Sequence, residues 1–137
     1  MMTSFPSQIL RLAQRRFRYL SKPSADHPAP RKMKVTIKDR ATGTILAETT
    51  DPNQVLSFEG NWYFAPDAVN QSVLKLTTDT YTCGYKGTCN WITFDDGAHL
   101  TPHVAWVYPA PKAGYENIAG RYGFYAGARL TTIEERE

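Results

Sequence analysis

From residue 33 onward apolar and polar positions alternate, Met33, Val35 and Ile37 against Lys34, Thr36 and Lys38. A period of two predicts a half-buried strand. Asp39-Arg40-Ala41-Thr42-Gly43 carries turn chemistry, and the run Thr44 to Thr50 reads as the returning partner of a hairpin. Further strands are predicted at Val55–Phe58, Trp62–Ala65, Val73–Thr78, Tyr81–Tyr85, Cys89–Phe94, Leu100–Tyr108 and Ile118–Tyr125, with Asp95-Asp96-Gly97 as a tight hairpin joining two of them. Strands about ten residues apart with turns between them predict an antiparallel, mainly β domain, with two sheets packed together.

The N-terminal stretch has a different period. Ile9, Ala13, Phe17 and Leu20 share one stripe, Arg11, Arg15 and Arg18 another, so 7–20 reads as a short amphipathic helix that Ser7 can cap. The following residues, Ser21 to Pro30, contain three prolines and form a stiff connector. The division expected is therefore 1–31 as a basic appendage and 32–137 as the β domain.

Charge sharpens this division. Residues 1–40 hold ten Lys/Arg against Asp26 and Asp39, a balance of +8, while the other six basic and eleven acidic residues give −5, for the total of +3. The basic helix suits contact with an anionic membrane surface, with a partner, or with its own domain or a twin subunit, and a homodimer stays open. A nucleic-acid role is disfavoured because the body of the chain is net negative. No apolar run approaches the roughly 20 residues of a membrane helix and no secretory block opens the chain, so a cytoplasmic location is expected, or an organellar one if the leader is a transit peptide.

Two cysteines, Cys83 and Cys89, supply neither a disulfide scaffold nor a four-thiolate zinc site, and free thiols are expected. His99 and His103 lie about 13 Å apart along a strand at ~3.3 Å per residue, so no metal site is assigned. The chain carries no Gly-rich phosphate loop and no Gly-x-Ser-x-Gly elbow, and no cofactor is implied.

Chemistry concentrates in Thr80-Tyr81-Thr82-Cys83-Gly84-Tyr85-Lys86-Gly87 and Ala105-Trp106-Val107-Tyr108-Pro109-Ala110-Pro111. A lysine near Cys83 favours its thiolate, and Lys86 suits an anionic group or an imine. Trp62, Trp91 and Trp106 with Tyr63, Tyr81, Tyr85 and Tyr108 offer flat walls with hydrogen-bonding rims, suited to a planar or sugar-like ligand, Trp106 and Tyr108 foremost because Pro109 and Pro111 stop the strand there. The reading from residues is a small-molecule binding domain whose site comprises Tyr63, Tyr81, Cys83, Tyr85, Lys86, Trp106 and Tyr108 in a cleft between sheets. Its alternatives are a small enzyme using Cys83 or Lys86, and a scaffold attached through the basic helix.

These two stretches, with Glu59-Gly60-Asn61-Trp62-Tyr63-Phe64-Ala65-Pro66-Asp67-Ala68-Val69 and Ile118-Ala119-Gly120-Arg121-Tyr122-Gly123-Phe124-Tyr125, resemble in order and spacing the signatures of domain-of-unknown-function family 427, across about residues 33–125. That resemblance implies a β-tent domain, a fold shared with methionine sulfoxide reductase B-like and cereblon ligand-binding domains, with a pocket near the Tyr-x-Cys-x-Tyr-Lys-Gly block. It carries Tyr81, Cys83, Lys86, Gly87, Trp106, Tyr108 and Pro109 into the site, with Tyr63 and Phe64. Two departures stand out: Gly84 replaces the usual proline, and Ala126-Gly127 replaces an acidic residue, which favours binding over catalysis. The family is sometimes filed as nucleotidyltransferase-like, but no Gly-Ser block with spaced carboxylates for metal ions is present here.

Overall fold

The computed structural model describes residues 33–137, so the helix expected at 7–20 and its connector lie outside the described residues. The described chain forms nine strands and two short 3-10 turns. The strands are β1 (Val35–Asp39), β2 (Ile45–Thr49), β3 (Val55–Phe58), β4 (Asn61–Phe64), β5 (Leu74–Cys83), β6 (Gly87–Asp95), β7 (Leu100–Val107), β8 (Tyr122–Tyr125) and β9 (Thr132–Arg136). They make two antiparallel sheets, one of three strands in the order β2-β1-β9 and one of six in the order β3-β4-β8-β7-β6-β5. No helix among the described residues is long and apolar enough to cross a membrane.

In the small sheet the turn at Asp39–Gly43 forms as its residues predict. Asp39 Oδ2 accepts hydrogen bonds from the Thr42 amide and hydroxyl at 3.0 and 2.8 Å, and Gly43 adopts φ +77°. The strand before it is more deeply covered than the alternation predicts. Lying between β2 and β9, β1 buries Thr36 and Asp39 as well as Val35 and Ile37.

The central strands of the six-stranded sheet, β4, β8, β7 and β6, bury side chains on both faces, while β5 is largely exposed, and neighbouring residues divide between the faces. Phe64, Ile92, Phe94, Ala105 and Phe124 join Val35, Ile37 and Leu46 of the small sheet in one apolar core. Tyr63, Cys89 and Trp106 point the other way and pack with Tyr108 and with Ile118 of the 3-10 turn Glu116–Ile118. The alternation Tyr63/Phe64 and Ala105/Trp106 is the two-residue period of a pleated strand.

Several boundaries differ from the sequence reading. The segments Val73–Thr78 and Tyr81–Tyr85 are one strand, β5, whose pairing with β6 is interrupted between Leu76 and Thr80. That interruption is a bulge in which Thr77, Thr78 and Asp79 lie opposite Trp91 alone. The strand expected at Ile118–Tyr125 shortens to Tyr122–Tyr125, because Ile118 ends a 3-10 turn and Gly120 adopts φ +70°. β9 was not expected. It is rich in charge, yet its Thr132 is fully buried against β1.

Candidate functional site

The β3–β4 hairpin sets the first wall. Phe58 pairs with Asn61, leaving Glu59 and Gly60 as a two-residue loop, and both take positive φ, 53° and 77°. Positive φ at both central residues is the type I′ pattern, which matches the twist of a hairpin but suits Asn, Asp or Gly far better than Glu. The strained glutamate has a partner. Glu59 Oε1 accepts a 2.7 Å hydrogen bond from Lys86 Nζ across the site.

Lys86 comes from the turn between β5 and β6, where Cys83 pairs with Gly87 and Gly87 adopts φ +109°. The proline-flanked stretch after β7 clasps this turn: the Lys112 amide donates to the Lys86 carbonyl at 2.9 Å, and Lys112 Nζ donates to the Gly84 carbonyl at 3.1 Å. Lys112, the residue after the second chemically rich stretch, thus ties that stretch to the first.

Between these walls lies a cavity of about 150 Å³ lined by Asn61, Tyr63, Tyr81, Lys86, Cys89, Trp106, Tyr108 and Tyr125. Its floor is an aromatic lattice. Trp106 meets Tyr63 edge-on at 6.1 Å and Tyr125 at 4.8 Å between ring centroids, and its indole N–H donates to the Tyr63 hydroxyl at 3.2 Å. Gly123, paired with both Tyr63 and Trp106, makes that contact fit, since a Cβ there would overlap the indole ring. The cavity opens on the face of the large sheet turned away from the small one. This corrects the expected cleft between sheets, because the space between the sheets is filled by the apolar core.

Of the residues singled out from sequence, Tyr63, Tyr81, Lys86, Trp106 and Tyr108 line this cavity. Tyr85 does not, and is 76% exposed at the turn. Cys83 is half-buried beside the aromatic cluster without lining the cavity. Sequence reasoning missed Glu59, Asn61, Cys89 and Tyr125. A Glu-Gly pair between two strands reads as a turn, and only the partner of its carboxylate reveals another use.

The titrating groups differ in environment. The Glu59 carboxylate holds the Lys86 ammonium above the ordinary lysine range, so the amine is protonated at neutral pH, against what imine formation requires. Backbone N–H groups of Lys86 and Tyr85 direct hydrogen bonds at the Cys83 thiol and lower its pKa. Burial does the opposite to Cys89, Tyr63 and Tyr108, raising all three. The cysteines are both free. Among the described residues no three His, Cys, Asp or Glu side chains come together as metal ligands.

A second cavity, of about 300 Å³, lies beside β1 and β4 and is lined by apolar Met33, Val35, Pro52, Val55 and Trp62 with Thr50 and Asp51. It brings together no pair of opposite charges and no thiol. Of these two, the smaller holds the lysine and the thiol.

A family profile described as a domain of unknown function (DUF427) matches residues 27–135. No curated protein matches the chain.

Proposed function

We propose that this chain, which belongs to the DUF427 family, uses the cavity under the Lys86–Glu59 pair to bind a small, polar, electrically neutral molecule with a flat face. One observation carries the reading: residues from β4, β5, β6, β7 and β8 that lie far apart in sequence converge on one cavity capped by a matched ammonium and carboxylate. Because Glu59 already neutralises Lys86, an anion would have to compete with a carboxylate 2.7 Å away. A hydroxyl-bearing ligand avoids that competition, donating to Glu59 and accepting from Lys86. The aromatic rings supply the apolar wall that such sites use for shape. The two-sheet arrangement is in keeping with a β-tent, and the binding reading is in keeping with the loss of an acidic residue at Ala126-Gly127.

The test is a thermal-shift screen of neutral and charged metabolites. A stabilising ligand should lose about tenfold or more in affinity on Lys86→Ala, the loss expected for a hydrogen bond to a charged group, and should weaken on Tyr81→Ala. A ligand indifferent to both changes binds elsewhere and overturns this location.

A second reading makes Cys83 a nucleophile. It rests on the backbone N–H groups aimed at its sulfur, which favour the thiolate. Selective alkylation of this thiol, described below, separates it from an inert cysteine.

A further inference from the structure

The aromatic floor does not end at the cavity. Trp91, half-buried on β6, packs against Trp106 at 6.1 Å and Tyr81 at 6.5 Å, both of which line the cavity, and its ring carries the His103 imidazole stacked at 4.6 Å and 16°. The same imidazole sets its Nε2 3.4 Å from Asp79 Oδ2.

Two irregularities create this arrangement. On β5 the bulge at residues 77–79 lies opposite Trp91, and on β7 pairing is broken between the positions matched to Ile92 and Phe94, leaving Pro102, His103 and Val104 opposite Thr93. Asp79 and His103 therefore come from strands that are not neighbours and meet over the strand between them. His103 adopts φ +55°, a left-handed backbone that is strained in a non-glycine residue. Bulges re-aim side chains, and such strain collects where a side chain has a task.

We infer that Asp79 and His103 form a second polar pole of the same site, so that its ligand is an elongated, neutral, polyhydroxylated chain of the oligosaccharide class, held at one end by Lys86–Glu59 and at the other by Asp79–His103 with a ring face on the exposed Tyr81 between them. The inference rests on the cavity being a binding site. Both poles have the same character: each sets an acceptor carboxylate beside a nitrogen donor. Between them run five residues of β6, Gly87 to Trp91, whose four steps span roughly 13 Å at ~3.3 Å per residue, a span of roughly two or three linked sugar rings. A cavity of about 150 Å³ falls below the ~300 Å³ at which pockets for whole drug-sized ligands begin, as expected if it houses only one end of a longer molecule. The rim aromatic Tyr81 is 55% exposed, placed to meet a ligand that continues out of the cavity.

Isothermal titration of the full chain with glucose, xylose, maltotriose, cellotriose and xylotriose tests this. At least one trisaccharide should bind about tenfold tighter than its monosaccharide, the ratio 1.4 kcal/mol gives. Asp79→Asn and His103→Asn should abolish that length-dependent gain; asparagine is chosen at 103 because it tolerates positive φ. Trisaccharides that bind no tighter than monosaccharides, or a gain that survives both substitutions, would overturn the second pole while leaving the cavity reading standing. Absence of binding by all five sugars also overturns the ligand class, and the cavity is then judged by the metabolite screen alone.

Discussion

Lys86 and Glu59 stand 27 residues apart in sequence and 2.7 Å apart in space, joining a left-handed hairpin loop to the turn that carries the exposed end of β5. The pair explains why a glutamate occupies a position that glycine or asparagine would fill with less strain. Glu59 is 45% exposed, so solvent screens the interaction, and removing either partner is expected to cost on the order of 1 kcal/mol or less. The lysine's raised pKa fixes the sign: its contribution is complete below the ordinary lysine range near 10.4 and is lost as pH rises through the folded value.

Amine reactivity follows from the same contact. With glyceraldehyde and borohydride at neutral pH, peptide mapping should find Lys86 modified more slowly than the lysine on β5, Lys75, and Glu59→Gln should accelerate it. Preferential labelling of Lys86 in the unaltered protein would contradict a protonated, carboxylate-bound amine.

The thiols should separate cleanly. Iodoacetamide is expected to alkylate Cys83 ahead of Cys89, which is 2% exposed and held protonated by burial. The rate at Cys83 should climb with pH at values below the ~8.5 of a free cysteine, since its turn amides favour the thiolate. Equal labelling of the two, followed by mass spectrometry of the peptides, would remove the argument for an activated Cys83.

Gly123 is the point where the floor has no room to spare. Gly123→Ala places a methyl into the Trp106 indole and against Tyr63, and overpacking of this kind costs about 1–3 kcal/mol. Tyr63→Phe tests the hydrogen bond alone. It strands the buried Trp106 N–H, for which about 1–3 kcal/mol is expected. Denaturant midpoints of the two variants measure these losses, and a neutral Tyr63→Phe would mean that the 3.2 Å contact contributes nothing.

Alkali should unfold the domain through its buried phenols. Tyr63 and Tyr108 both have pKa values raised by burial, so the folded state resists their ionisation and the unfolded state does not. Stability from them is full below the unfolded value near 10 and falls as pH climbs through it. Phenolate absorbance should show tyrosines that titrate only together with loss of near-ultraviolet circular dichroism.

Local patterns made much of the fold legible. The alternation from Met33 and the turn at Asp39–Gly43 gave the β1–β2 hairpin, and Val55–Phe58 is a strand to the residue. Asp95-Asp96-Gly97 does lie in the β6–β7 hairpin, although the loop closes around Asp96 Oδ1, which accepts from the Ala98 and His99 amides. What eluded local reading depends on distant partners. Thr77-Thr78-Asp79 looks like a break between strands, and only pairing to β6 on either side makes it a bulge within one. β9 has the composition of a solvated tail and becomes a strand because β1 has a free edge to pair with. In the site, Tyr63, Tyr81, Lys86, Trp106 and Tyr108 are conspicuous by residue type, whereas Glu59 and the Asp79–His103 pair acquire meaning only through side chains that the fold brings to them.

Because Tyr63 abuts Phe64 along β4 and Ala105 abuts Trp106 along β7, each strand serves two masters, and the parity of a position decides which. A single inserted or deleted residue in either strand would turn cleft wall into core filling and core filling into cleft wall at a stroke. Changes to the lining of the cavity are therefore confined to substitutions at positions of one parity and to changes in loop length beyond the strand ends, and libraries built on this scaffold should be drawn that way.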